Sequence, residues 1–87
     1  MLENTKLFFL KEDIFKEFGI EEGEKLYRNV EKIYNELISS ANYRESEAIK
    51  HHLITNLFPT MAYYKALLDN GYNIDTALSY VRKETKK

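Results

Sequence analysis

The residues best suited to chemistry gather in the middle of the chain. His51 and His52 are its only histidines, and an unperturbed imidazole titrates near neutral pH. Successive helical residues point about 100° apart, so the two rings cannot converge on one metal ion. Glu47, four residues before His51, adds one further donor, but two ligands do not make a metal site, and no metal is expected. His52, Asn56, Thr60 and Tyr63 form a different pattern. On a continuous helix they share a narrow angular sector beside an apolar stripe, around Pro59. An imidazole, an amide and a phenol in that seam can serve as acid, base and orienting group. His52, Asn56 and Tyr63 are therefore the candidate catalytic residues, and with Thr60 they are the candidate ligand-binding residues. The favoured alternative is structural: Asn56, Thr60 and Tyr63 can satisfy carbonyls freed by Pro59 and bond to neighbouring helices.

No other pattern carries a mechanism. There is no phosphate loop, no Ser/His/Asp arrangement and no glycine-rich nucleotide fingerprint, and no cofactor is called for. The chain contains no cysteine, which excludes thiolate nucleophiles, disulfides and zinc–thiolate sites and suits a reducing cytoplasm. Glu21, Glu22 and Glu24 sit where a helix dipole favours negative charge, the alternative being a metal or basic-partner site. Arg82, Lys83, Lys86 and Lys87 form a short basic run that reads as a solvated end, or else as a phosphate contact. With a net charge of −1 nothing global draws the chain to nucleic acid or to an anionic membrane, so nucleic acid is disfavoured as a partner. The apolar runs Leu7 to Leu10 and Phe58 to Tyr64 are too short or interrupted to span a bilayer. Glu3 stands where a signal peptide would be basic, so the expected protein is cytoplasmic with an intact start.

The elements that must position these residues are helices. The periodicity predicts an all-α fold: a single domain over 1–87, a small bundle of four to five antiparallel amphipathic helices, one kinked at Pro59. Leu7, Leu10, Ile14 and Phe18 recur at helical spacing, flanked by Phe8 and Phe15, with Asn4 or Thr5 as cap and Gly19 as a left-handed stop. Lys11 falls inside that stripe and Phe9 opposite it. Either Lys11 snorkels to water or the helix presents two faces to two neighbours. Leu26, Tyr27, Val30, Ile33, Tyr34, Leu37, Ile38 and Ala41 form the clearest stripe, and the pattern lapses through Ser39, Ser40 and Asn42. Ser46 can open a helix carrying Ile49, Leu53 and Leu57 that continues past Pro59 through Met61, Tyr64, Leu67 and Leu68 to about Asp69. Asn70-Gly71 stops it, and Asn73 caps a last helix whose expected buried side is Ile74, Ala77, Leu78 and Val81. Seven tyrosines and five phenylalanines are more than so small a core can enclose. A protein partner, or self-association through aromatic surface, follows as an expectation.

From His52 to Arg82 one further pattern stands out. A leucine-rich helix runs into Phe58-Pro59, with a small residue and Tyr63 after it. A Leu67-Leu68-x-x-Gly71-Tyr72 stop and a capped short helix containing Ala77-Leu78 follow. This stretch resembles the N-terminal helical region of the L-2-amino-thiazoline-4-carboxylic acid hydrolase family. The resemblance covers about the upstream half of a family member. It implies relatedness to hydrolases that open a thiazoline ring on the way to cysteine and that continue into a further domain containing cysteine.

Taken together, the expected function is a small helical module, non-catalytic alone and acting through protein contacts. The alternatives are a hydrolase opening a C–N bond or thiazoline ring at His52, Asn56 and Tyr63, and a nucleic-acid-binding or regulatory helical protein. Whether the chain is an enzyme is left open.

Overall fold

A computed structural model of the chain describes residues 5–40 and 46–85, with side chains over 7–40 and 46–84. Asn4, Ala41, Asn42, Lys86 and Lys87, named above as cap, stripe, loop and basic tail, lie outside the described residues. Helix fills three stretches of those described and no strand occurs among them. The first is α1, Thr5–Ser40. The second is one run made of α2, Glu47–His52, a π-turn, Leu53–Leu57, and α3, Phe58–Asp69. The third is α4, Ile74–Thr85. None of these helices is long and apolar enough to cross a membrane.

The expected four to five separate helices are therefore corrected to three helical stretches. Two local events account for the difference. At Gly19 the backbone takes φ 83°, ψ 176°, a conformation only glycine adopts without strain, rather than the left-handed helical one expected. Helical turns resume directly after it. A straight helix of 36 residues would be about 54 Å long, whereas the longest dimension of the molecule is 37 Å. The chain thus turns back at Gly19, and α1 is two limbs folded together. Gly23 seals the fold: a Cβ there would lie 2.6 Å from the Phe15 ring and 3.1 Å from its Cα. The limbs touch backbone to backbone.

The second event joins α2 to α3. The Phe58 amide bonds to the Leu53 carbonyl, five residues back, instead of Ile54. The next amide would be that of Pro59, which has no N–H. Widening by one residue lets the helix continue through the proline with helical dihedrals at Leu57 and Phe58. The Tyr34 hydroxyl donates to the Ile54 carbonyl at 2.9 Å, a bond from outside the helix at the point where it widens.

The ends follow their sequence signals. Ser46 Oγ accepts from the Ile49 amide at 3.3 Å and Asn73 Oδ1 from the Thr76 amide at 2.8 Å. After Asp69 the Tyr72 amide bonds to the Leu67 carbonyl and the Gly71 amide to Leu68, both at 3.1 Å, with Gly71 at φ 94°. This is the Schellman arrangement, which requires glycine there.

The core joins Leu10 and Ile14 of the first limb to Leu26, Val30, Ile33 and Tyr34 of the second. They enclose Phe58, Ala62, Tyr63, Ala66 and Leu67 of α3, with Ala77 and Val81 of α4 on its other side. The most deeply buried residues of α3 include two alanines and a tyrosine. Small side chains let this central helix lie close to α1 and α4, so it is buried well beyond the stripe Met61, Tyr64, Leu67, Leu68. Four positions expected on buried faces are exposed instead: Phe8, Ile49, Leu57 and Ile74. Ile49 belongs to α2, which has no buried residue. Ile74 is the first helical residue after the Asn73 cap, where no neighbouring turn covers it.

Candidate functional site

The four residues of the polar seam do not share one environment. His52 and Asn56 are exposed, Thr60 is half-buried, and Tyr63 is only 2% exposed. Along a helix, His52 and Tyr63 are separated by about 16 Å of axial rise, so a shared angular sector does not bring them together. Asn56 and Thr60 do meet, since Thr60 Oγ1 donates to the Asn56 carbonyl at 2.9 Å. Asn56 Nδ2 in turn donates to Thr55 Oγ1 at 3.0 Å, and Thr55 Oγ1 to the His51 carbonyl at 2.6 Å. The seam is thus largely a chain of side chains bonded to their own helix, and the long-range bond at the proline comes from Tyr34.

Tyr63 points elsewhere. It lines a cleft of about 510 Å³ between the first limb of α1 and α4. Asp13, Lys16 and Glu17 form one wall, and Tyr80, Lys83 and Glu84 the other. Lys83 Nζ lies 3.5 Å from Glu17 Oε1 and 5.6 Å from the centre of the Tyr80 ring, bridging the walls. Burial pushes the Tyr63 phenol far above its ordinary value of 10.0, reinforced by the charges of Glu84 and Glu17, then Tyr80 and Asp13. At neutral pH it is a protonated hydrogen-bonding group. That suits holding a small polar or charged group better than abstracting a proton.

A second surface is apolar. Phe8 and Phe9 are 58% and 60% exposed, with ring centroids 5.8 Å apart and an interplanar angle of 71°. They are the only exposed aromatics among the described residues; Phe18, Tyr72 and Tyr80, by contrast, pack on one another beside the core. Lys11, the charge inside the first stripe, snorkels: it is exposed, and its ammonium lies 5.4 Å from the Tyr27 ring centre and 5.9 Å from that of Phe15. Phe9, placed opposite the stripe by its spacing, faces solvent.

The acidic group Glu21, Glu22 and Glu24 makes one local pair. Glu24 pairs with Arg28 one turn on, at 2.7 Å and in the open, a contact of small energetic weight. Among the described residues no three His, Cys, Asp or Glu side chains are grouped to hold a metal. The cleft residues Asp13, Glu17, Lys83 and Glu84 were not legible as a group, because nothing in the order of the chain announces that α4 returns to the first limb. Phe9 was legible, from its angle alone. No protein-family model, no curated protein and no solved structure matches the chain.

Proposed function

We propose that the chain is a small helical module that works through protein–protein contacts and is non-catalytic alone. The observation that carries this reading is the exposed Phe8–Phe9 pair on a limb whose opposite side holds Leu10 and Ile14 in the core. Two neighbouring phenylalanines kept in water cost favourable burial that a partner would recover, and aromatic side chains are the commonest anchors of such contacts. In this reading the helices form an antiparallel bundle, bent where the π-turn meets Pro59, and the protein acts in a reducing cytoplasm. The resemblance of His52 to Arg82 supports descent from the helical region of the thiazoline hydrolase family. The hydrolase alternative draws support from Tyr63 and its cleft alone, since His52 and Asn56 do not line it. The nucleic-acid alternative draws on Arg82 and Lys83, both exposed, with Lys83 also engaged by Glu17.

The test is a photoreactive phenylalanine analogue placed at position 9 of the whole chain in its native host. Irradiation is expected to give a protein adduct of defined mass that is lost when the analogue is moved to the exposed position of Asn35. If position 9 yields no adduct, the reading fails.

A further inference from the structure

The exposed side of the first limb has an order that matches itself when reversed. Phe8 and Phe9 come first, then Glu12, then Lys16, then the bare Gly19 and Ile20, which is 78% exposed. Phe9, Glu12 and Lys16 lie within a sector of about 60° on the helix. All of these residues are exposed, and beyond Gly19's own chain neighbours and helix backbone no heavy atom comes within 4 Å of where a Cβ would stand.

Resting on the protein-contact reading above, we propose that this face docks a second copy of the same chain, limb against limb and antiparallel. The two-fold axis passes at the level of Ile14. That operation sets Glu12 of each copy against Lys16 of the other. It brings Phe8 and Phe9 to the end of the second copy's limb, where Gly19 has no side chain and Ile20, the first residue after the reversal, is exposed. Like charges face each other in neither pair. A parallel arrangement in register would set Glu12 on Glu12 and Lys16 on Lys16, so charge selects the antiparallel one. The total surface is 6091 Å², and a tenth of it from each copy gives an interface of about 1,200 Å², at the lower end for a specific association. The dimer is accordingly a weak one, with the phenylalanines supplying affinity and the charges the register.

Sedimentation of the full chain over about 10 to 300 µM should show a monomer–dimer equilibrium in this range. Phe9→Ser is expected to weaken it at least about tenfold. Glu12→Lys and Lys16→Glu should each weaken it about three- to tenfold, because each creates like pairs, and the double swap should restore it. Melting temperature checks that each variant is folded. A monomer throughout, or a dimer that the double swap fails to restore after both single changes weaken it, overturns the proposal, as does a dimer indifferent to both. The photoreactive residue at position 9 separates the two readings. An adduct of twice the chain mass supports self-docking; one of any other defined mass overturns self-docking and leaves the protein-contact reading standing; none removes both.

Discussion

The two halves of the helical run through Pro59 have opposite fates. Upstream of the π-turn, α2 is capped and regular yet contributes nothing to the core. Downstream, α3 carries Ala62, Ala66 and Leu67 at full burial and is surrounded by both limbs of α1 and by α4. Both halves have helical backbone and apolar residues. What differs is side-chain size and position: alanines in α3 admit neighbours on several sides, whereas Ile49 in α2 stays 47% exposed. Regular helix is therefore no measure of contribution to stability. Most of that comes from packing.

The sharpest test of the contrast is a pair of truncations. Leu67→Ala should cost about 2–5 kcal/mol through lost burial and a cavity, while Ile49→Ala should cost under about 0.5 kcal/mol as an exposed change; both are read by urea unfolding. Similar losses at the two positions would erase the distinction. Tyr34→Phe removes the donor to Ile54 and should cost about 1–3 kcal/mol. The cost should shrink in a Pro59→Ala background, because residue 59 regains an amide that can serve the same carbonyls. An unchanged cost would mean that the tyrosine does not answer the proline. The smallest effect appears only in alkali. The Tyr63 phenol is held protonated in the folded state above its ordinary value. Between those two values the unfolded chain binds fewer protons, so stability is complete below about pH 10 and declines as pH rises further. Tyr63→Phe should flatten that decline in a series of urea titrations, without changing the slope near neutrality.

Local signals were readable wherever a single residue decides a backbone conformation. Gly19, Gly71, Ser46 and Asn73 each mark a turn or a cap where expected, although the dihedrals of Gly19 differ from those anticipated. The second limb of α1 shows its buried stripe plainly because only one of its faces is covered. In α3 the periodic pattern is blurred, since a helix covered on several sides has little reason to keep a polar face. That is why Tyr63 reads as the edge of a stripe and is in fact interior. Gly23 escaped notice for a related reason: its role is to lack a side chain where Phe15 crosses, and the only hint is its spacing of four from Gly19. The polar seam does not act as a unit because a shared angle around a helix says nothing of distance along it, and His52 and Tyr63 stand about three turns apart.

Gly19 has a consequence for the integrity of the monomer. It is the one non-helical residue of α1, and no loop intervenes between the limbs. Were it to adopt the helical conformation of its neighbours, α1 would straighten and carry Leu10 and Ile14 out of their own core. The gap left behind would have the shape of the limb that left. Straightening of this kind is the general route by which chains exchange arms. Glycine at this position holds the exchange in check, since it lets the reversal form without strain and makes the uninterrupted helix relatively costly.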